Sequence, residues 1–339
     1  IGVLLKYSRK LSEKSKDKII SKGKKKKLKS DKIRLGLIGA GNFAKNTMLP
    51  IMKETDLYRF KGLATTGGPG AAQAKKVFNF EYTTNKYKEL LDDDNIDLIA
   101  ISTRHNTHAK FIIEALEKDK HVYCEKPLCL NIDELNQIKK TYNNSRGELF
   151  VGLNRRHAPL VKQIKKELKT DKIPAVYNYI ANAGFIPKDH WTQDEKIGGG
   201  RIIGEAIHFI DTIQYLDGSE VKSLKVDFAE NESSPMKDNC TINLKFESGA
   251  IANIIYTSMG SKKYSKEQLR VFSNGNVYEM DNYIKLKKYG SLKIPKIKLK
   301  QDKGFKNEYE YIHNILKSDM RNNILEDIFN NHEILLNVL

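Results

Sequence analysis

The chain has 339 residues, 40% of them hydrophobic and 30% charged, a composition typical of globular domains that excludes collagen-like and disordered classes. Its length suits two domains, and no apolar run approaches the roughly 18 residues that a membrane span needs. Three scattered cysteines, Cys124, Cys129 and Cys240, argue against a disulfide scaffold or a metal site and favour the reducing cytoplasm.

Much of the net charge of +17 lies in residues 1–32, which hold twelve lysines and Arg9 against three acidic residues. This segment therefore carries +10, and the rest of the chain only +7. Contact with RNA, DNA or anionic lipid is one interpretation. We favour a solvated basic tail or interdomain linker, because no aromatic side chains that would stack on bases interrupt the densest run, Lys24 to Lys27.

Strands alternate with helices in residues 33–153. Apolar runs predict strands at Ile33–Ile38, Phe60–Ala64, Ile96–Ser102, His121–Cys124 and Leu149–Leu153. Helices are predicted toward Met52 and at Ala71–Phe78, Tyr87–Leu91, Thr107–Lys118 and Ile132–Thr141. This alternation is typical of right-handed βαβ crossovers, so it predicts a parallel, doubly wound Rossmann domain over residues 33–153.

The pattern changes in residues 154–339. Helices are predicted at Pro159–Leu168, Arg201–Leu216, Asn307–Leu316 and Leu325–Leu339. Short strands are predicted at Ala175–Ala181, Val221–Phe228, Cys240–Phe246, Ala250–Ser258, Gln268–Phe272, Asn276–Glu279, Tyr283–Lys288 and Ile294–Leu299. The dipeptide Asn274-Gly275 is a strong hairpin signal. We therefore expect an α+β domain with a large open antiparallel sheet and helices on one face.

A glycine-rich turn between the first strand and its helix reads Gly39-Ala40-Gly41-Asn42-Phe43-Ala44. Such a turn lets a pyrophosphate approach backbone N–H groups at the helix N-terminus, which predicts a dinucleotide site. Thr65 and Thr66 stand at the end of the second strand, where an acidic residue would hold the ribose of NAD. Both NAD and NADP stay open, with NAD favoured because no arginine is placed there for a 2′-phosphate.

Two later loops also follow strands, and ligands bind at such carboxyl ends in doubly wound sheets. The first loop reads Ser102-Thr103-Arg104-His105-Asn106-Thr107-His108, and the second reads Glu125-Lys126-Pro127. Ser102 is expected near the pyrophosphate and nicotinamide ribose, whereas His108 is more simply a residue that starts the next helix. Lys126 is placed to hydrogen-bond a ribose and a substrate hydroxyl, although an exposed loop lysine is the plain alternative.

The predicted helix Arg201–Leu216 carries an ionisable stripe. Glu205, His208 and Asp211 lie at i, i+3 and i+6, beside an apolar face, and three consecutive glycines, Gly198 to Gly200, precede the helix. Ionisable groups on a mostly apolar helix are costly unless they are paired or face a solvated cleft. The stripe is consistent with acid–base chemistry and, equally, with a structural histidine.

Together these motifs resemble the Gfo/Idh/MocA family, the glucose–fructose oxidoreductase and inositol dehydrogenase group. The resemblance implies an NAD(P)-dependent oxidoreductase that moves a hydride between nicotinamide and a carbinol carbon of a polyol, sugar or sugar derivative. It implies an active site between the two domains and a homo-oligomer formed through the open sheet. It also implies cofactor contacts from Gly39, Gly41, Asn42, Phe43, Ala44, Thr65, Thr66, Ser102, Thr103, Arg104, His105, His108, Glu125, Lys126 and Pro127.

The resemblance further implies roles for individual residues. His208 would be the general base on the substrate hydroxyl, Lys126 would hydrogen-bond the same oxygen, and Glu205 or Asp211 would orient the histidine. Candidate substrate contacts are Arg155, Arg156, His190, Trp191 and Arg201.

Two departures and one closer match qualify this resemblance. The family commonly has an aspartate four residues before the histidine, and this chain has Gly204 there. The family's frequent Pro-Asn pair after the fourth strand is replaced here by Arg104-His105. A subgroup that carries an upstream zinc-alcohol-dehydrogenase-like domain is more similar, with Ile1–Tyr7 resembling the end of that domain. Two alternatives remain, an NAD-dependent glycoside-cleaving enzyme and a non-catalytic dinucleotide-binding sensor.

Overall fold

The computed structural model of the protein describes residues 24–28, 30–168, 173–229, 237–290, 297–298 and 300–339. Most of the basic tail, including Ile1–Tyr7, lies outside these ranges, as does much of the predicted strand Ile294–Leu299. Within the described part of the chain, every helix is too short or too polar to cross a membrane.

A parallel sheet with flanking helices forms the first layer of the described structure. Its strands are β1 (Ile33–Ile38), β2 (Tyr58–Ala64), β3 (Tyr82–Thr84), β4 (Leu98–Ile101), β5 (His121–Cys124) and β6 (Leu149–Val151). Their order is β3-β2-β1-β4-β5-β6, and every neighbouring pair is parallel. The Rossmann prediction is therefore confirmed. The sequence pattern missed β3 because its residues are all half-buried and form no apolar run.

The connecting helices return the chain so that all six carboxyl ends meet at one edge. They are α1 (Leu49–Thr55, preceded by a π-helical turn, Ala44–Met48), α2 (Gly68–Phe78), α3 (Tyr87–Asp92), α4 (His108–Glu117) and α5 (Ile132–Asn144). The start of α5 shows why such boundaries are readable from sequence: the Asn131 side chain accepts a hydrogen bond from the Glu134 N–H, as an N-cap residue does. The glycine-rich turn and both predicted site loops lie at this shared edge.

A late helix, α8 (Phe305–Lys317), returns to pack on the first sheet. The Tyr58 hydroxyl donates to the Tyr309 carbonyl at 2.7 Å, with both side chains buried. Lys25 in the basic run donates to the carbonyls of Ile315 and Met320 at 2.6 and 2.8 Å. A cation is favourable at a helix C-terminus, so this part of the run is docked on the fold and is not simply a solvated linker.

The second sheet follows β6. Its strands are β7 (Val176–Asn182), β8 (Val221–Phe228), β9 (Cys240–Phe246), β10 (Ile251–Thr257), β11 (Glu267–Ser273), β12 (Asn276–Asp281), β13 (Lys285–Tyr289) and β14 (Ile297–Lys298). Among the described residues their order is β14-β13-β12-β11-β7-β10-β9-β8. The predicted large open sheet is confirmed, and its neighbouring strands pair antiparallel except for β7 and β10, which pair in parallel. After β7 the chain runs through a helix to β8 at the edge of the sheet, and two antiparallel steps through β9 then bring β10 beside β7 in the same direction.

Three helices cover the inner face of the second sheet and join it to the first. They are α6 (Pro159–Leu168), α7 (Gly200–Asp217) and α9 (Leu325–Leu336). Helix α7 is buried along almost its whole length, and its Phe209 ring packs 4.8 Å from the Tyr179 ring of β7. The opposite side of α7 meets the loop after β5, where Lys126 donates to the Gly204 carbonyl at 2.7 Å. The predicted ionisable stripe therefore lies where the two sheets come together.

Candidate functional site

The glycine-rich turn forms an open cradle at the end of β1. Gly39 has φ +90°, and a Cβ there would lie 2.4 Å from the Ser102 carbonyl oxygen, so the position requires glycine. A Cβ at Gly41 would meet nothing within 4 Å. The Lys45 N–H donates to the Gly41 carbonyl at 3.1 Å, so the N–H groups between them face the cradle at the start of a helix. These residues fit a dinucleotide pyrophosphate.

The end of β2 bears on the choice of cofactor. Thr65 is half-buried, its N–H donates to the Thr84 carbonyl at 3.1 Å, and Thr66 is exposed. The structure adds a cation that the sequence pattern missed, since the Lys45 ammonium lies 4.0 Å from the Cβ position of Gly70 in the first turn of α2. The hydroxyls of Thr65 and Thr66 suit the ribose of either cofactor.

His108 joins the two predicted site loops. Its Nδ1 lies 2.7 Å from the Pro127 carbonyl, and its Nε2 lies 3.3 Å from the Thr103 carbonyl. The ring is fully buried, and this burial lowers its pKa. His108 therefore positions the loops from behind and does not face a ligand.

Glu125 and Lys126 point in different directions. The Tyr123 hydroxyl donates to Glu125 at 2.5 Å, and a Cβ at Gly152 would be 2.9 Å from the same carboxyl oxygen. Burial raises the pKa of Glu125 to about 7, against the effect of Tyr123 and Lys126. The predicted cofactor contact of Glu125 is thus replaced by contacts behind the loop, while Lys126 reaches across to α7.

His208 is the middle member of the α7 stripe. The side chain is buried, and its Nδ1 has no hydrogen-bond partner among the described residues. Burial lowers its pKa well below the usual value, and four cations act in the same direction: Arg155, Lys126, Lys303 and Lys266. The imidazole is consequently neutral at pH 7 and able to accept a proton.

Glu205 is the acidic group beside Lys126. Its side chain is 26% exposed, and the nearest Arg201 nitrogen lies 3.4 Å from a carboxyl oxygen. Burial alone would raise the pKa of Glu205, but the surrounding cations outweigh it and lower that pKa. A stable carboxylate therefore lies one residue after Gly204, where the family's aspartate is missing.

A buried cluster lies beside His208, and we call it the Arg155 cluster: Arg155, Glu267, Lys303 and Tyr179. Arg155 binds Glu267 through two nitrogens at 2.6 and 2.9 Å. Lys303 and the Tyr179 hydroxyl each donate to Glu267 at 2.7 Å. Despite its burial, Glu267 has a strongly lowered pKa because both cations face it. Two of the three guanidinium nitrogens of Arg155 are thus taken by Glu267, and the substrate contact of Arg155 stays a prediction.

Sequence reasoning missed Glu267 and Lys303 altogether. One signal was available, because alternation along β11 places Glu267 on the same inward face as Leu269 and Val271. An acidic residue at an inward position requires a buried cation. Lys303 offered no comparable signal, since it lies in a loop before α8.

Arg156 and Asp211 bind each other. Two guanidinium nitrogens of Arg156 donate to the two Asp211 carboxyl oxygens, and their side chains are only 4% and 0% exposed. The predictions that Asp211 orients His208 and that Arg156 contacts substrate are both wrong. The physical reason is that a fully buried carboxylate needs a cation, and the turn Asn154–His157 brings Arg156 to it.

The remaining predicted residues surround the glycine loop before α7. The His105 ring packs 4.8 Å from Trp191, and its Nδ1 lies 2.8 Å from the Gly198 carbonyl. A Cβ at Gly204 would lie 3.1 Å from the His105 ring, so His105 takes the room that the family's aspartate would need. Arg201 donates to the Gly184 carbonyl at 2.7 Å and is buried, which removes it from substrate contact, whereas His190 is exposed.

Comparison with known proteins agrees with this geometry. Residues 33–153 match the family described as "Oxidoreductase family, NAD-binding Rossmann fold", and residues 162–276 match "GFO/IDH/MocA C-terminal domain". The myo-inositol 2-dehydrogenase of Thermotoga maritima is 26% identical over 73% of this chain and 75% of its own length.

Two solved structures share the fold. A levoglucosan dehydrogenase in complex with NADH and levoglucosan superposes with a TM-score of 0.79 at 18% identity, covering 91% of this chain and 96% of that one. The aldose–aldose oxidoreductase of Caulobacter crescentus, complexed with glycerol, has a TM-score of 0.80 at 16% identity, with the same coverage. The two family matches together span more than half of the chain, which therefore belongs to the Gfo/Idh/MocA family of oxidoreductases, with an NAD-binding Rossmann fold.

Proposed function

We propose that this oxidoreductase transfers a hydride between NAD(H) and a carbinol carbon of a polyol, sugar or sugar derivative. One observation carries the proposal: Lys126, from the loop after β5, contacts α7 at Gly204, one helical turn before His208. A cation from the nucleotide-binding sheet thus meets α7 one helical turn from a neutral histidine. The sugar-active relatives and neighbours support the substrate class.

His208 is the proposed general base. Its Nδ1 is enclosed, so Nε2 is the nitrogen that would take the proton of the substrate hydroxyl. Lys126 would hydrogen-bond the same oxygen and stabilise the negative charge that develops on it. Bound NAD⁺ supplies the hydride acceptor for the carbon. Because the lowered pKa of His208 keeps the ring neutral, it is ready to accept a proton at pH 7.

Glu205 is the proposed substitute for the carboxylate that is absent at Gly204. It is partly exposed, ionised and close enough to Lys126 to act on its charge. Burial lowers the pKa of Lys126, and Glu205 is the largest influence in the opposite direction. Glu205 would keep Lys126 protonated and so keep it a hydrogen-bond donor to the substrate oxygen.

The dinucleotide would be held by the cradle at Gly39 and Gly41 and by the Ser102–Thr103 loop. Thr65 and Thr66 would contact the adenosine ribose, and NAD is the proposed form. Titration with NADH and NADPH separately, following energy transfer from Trp191, distinguishes the two forms. If Lys45 instead recruits a 2′-phosphate, NADPH will bind more tightly, and Lys45→Ala will remove that preference.

The larger organisation is also a proposal. Residues 33–153 would form the nucleotide-binding domain and residues 154–339 the substrate-binding domain. Apolar side chains that remain exposed on the second sheet support a homo-oligomer through that sheet: Val176, Ile251 and Phe272 are 44%, 45% and 44% exposed. An upstream domain on the same polypeptide stays a prediction of the resemblance.

The central experiment replaces His208 by alanine and measures NADH formation with a panel of polyols and sugars. We expect kcat to fall by about 10²- to 10⁴-fold. His313→Ala is the matched control, because the His313 ring contacts the exposed Asp31 carbonyl at 2.9 Å and belongs to no predicted site. Turnover that survives in His208→Ala would contradict the proposed base. Sugar release without net NADH formation would point instead to glycoside cleavage through transient oxidation.

A further inference from the structure

Positive charge exceeds negative charge around His208. Lys126 reaches α7 at Gly204, and the Arg155 guanidinium lies 5.4 Å from the ring of Phe209, the residue after His208. Lys303 shares Glu267 with Arg155, and Lys266 directly precedes Glu267. Two carboxylates, Glu205 and Glu267, face them as anions, while Glu125 lies behind the loop next to Lys126 with its pKa raised by burial to about 7.

The two carboxylates do not neutralise the set. Glu267 binds both Arg155 and Lys303, which leaves one positive charge over in the Arg155 cluster. Glu205 lies near Lys126, but it also lies 3.4 Å from Arg201, which is 3.7 Å from Asp238. Lys266 is exposed and makes no ion pair with a described residue. With glycine at position 204, two positive charges remain uncompensated when Glu125 is protonated, and one remains when Glu125 is ionised.

Lys266 is held at the rim of this group. Its carbonyl accepts a hydrogen bond from the Asn182 N–H at 2.8 Å, which fixes its backbone to the end of β7. Lys303 is 19% exposed beside it. Partly buried like charges repel each other unless an anion joins them. Because the proposed pyrophosphate cradle lies at Gly39 and Gly41, the cofactor phosphates would bind elsewhere.

We propose that the substrate is an anionic sugar derivative, with a carboxylate or phosphate held by Lys266 and Lys303 while its hydroxyl meets His208 and Lys126. This inference rests on the proposed function, because it places the anion relative to the proposed base. It narrows the substrate class from neutral polyols to sugar acids or sugar phosphates.

The test uses matched pairs that differ in charge. With the enzyme and NAD⁺, D-galacturonate and D-glucuronate are each compared with their neutral methyl esters, and D-galactose 6-phosphate is compared with D-galactose. We expect at least one anion to have a kcat/KM roughly tenfold or more above its neutral partner, with the advantage shrinking as salt rises. Preference among the anions distinguishes carboxylate from phosphate.

Lys266→Gln should reduce the ratio of kcat/KM for the anion to kcat/KM for its neutral partner. Lys263→Gln, an exposed lysine on the same loop, should leave that ratio as it is in the wild type. A neutral partner that matches or exceeds every anion would overturn the inference while leaving hydride transfer intact.

Equilibrium binding to the NADH complex separates the two proposals. Anions that bind more tightly than their partners, and lose that advantage in Lys266→Gln, would support the anion site even without turnover. In that case only the proposed hydride transfer would fail. Equal or absent binding of all six probes would overturn the anion site.

Discussion

Arg155 and Arg156 are neighbours on one turn, and both are buried in ion pairs, yet their surroundings differ. Arg156 binds Asp211 alone, in a pair whose side chains are 4% and 0% exposed. Arg155 binds Glu267 together with Lys303, whose side chain is 19% exposed. The first pair is closed off from the cleft, and the second opens toward His208.

The first ion pair holds two parts of the fold together, whereas the second group also acts on the charge of a neighbouring residue. One cation does not offset the burial of Asp211, whose pKa is raised. Two cations more than offset the burial of Glu267, whose pKa is lowered. The Arg155 cluster can therefore influence the charge of a neighbouring histidine, whereas the Arg156–Asp211 pair mainly holds α7 to the turn before α6.

The largest effect is expected from breaking the closed pair. Asp211→Asn leaves the Arg156 charge buried without an anion, which should lower the free energy of unfolding by about 3–5 kcal/mol. Urea unfolding at pH 7 measures it. The double variant Arg156→Met with Asp211→Leu removes both charges and should recover most of the loss. A loss below about 1 kcal/mol in the single variant would show that the pair is not a buried one.

Glu267→Gln tests the open cluster in the same way. Arg155 and Lys303 lose their shared anion, but Lys303 can turn toward solvent, so we expect a smaller loss of about 1–3 kcal/mol. The same urea experiment measures it beside Asp211→Asn. A loss equal to that of Asp211→Asn would remove the distinction between the two regions.

The pH profile tests whether the Arg155 cluster, and not the Arg156–Asp211 pair, acts on the pKa of His208. The pKa of His208 lies below its usual value, so the acid limb of kcat/KM for substrate oxidation should lie below pH 6.5. Lys303→Met removes one of the cations that lower this pKa and should move the limb upward by up to roughly one pH unit. Lys162→Met is the control, since Lys162 lies near the Arg156 side on α6. If Lys162→Met also moves the acid limb of kcat/KM, the Arg155 cluster and the Arg156–Asp211 pair do not differ in their effect on His208.

The smallest effect concerns acid stability. The pKa of Glu267 is lowered by folding, so its contribution is full above the usual value of 4.5 and is lost as pH falls through the folded value. Between pH 4.5 and 3 the wild type should therefore lose more stability than Glu267→Gln, by roughly 1 kcal/mol. Urea unfolding at both pH values measures the difference. If the wild type and Glu267→Gln lose the same free energy of unfolding between these pH values, Glu267 is not part of a strong ion pair.

The local pattern of the chain was sufficient for much of the fold. The strands Ile33–Ile38, His121–Cys124, Val221–Phe228 and Cys240–Phe246 and the helix Pro159–Leu168 were predicted with the bounds that the structure has. The spacing of apolar residues and the turn residues are local signals, so these elements can be predicted from the sequence. The β7–β10 pairing was not predicted, because parallel pairing depends on the path between strands.

For the site, the sequence by itself determined which residues end strands and which share one face of α7. It thereby identified the glycine turn, Lys126, Glu205 and His208 as one set. Only the tertiary structure decided which charges are already paired. Asp211 and Arg155 carry the same chemistry in the printed sequence as Glu205 and Lys126, but long-range ion pairs bind the first two. Lys126 instead donates to a backbone carbonyl of α7, and Glu205 keeps a partly exposed side chain. Ion pairing depends on distances across the fold, which local sequence spacing does not specify.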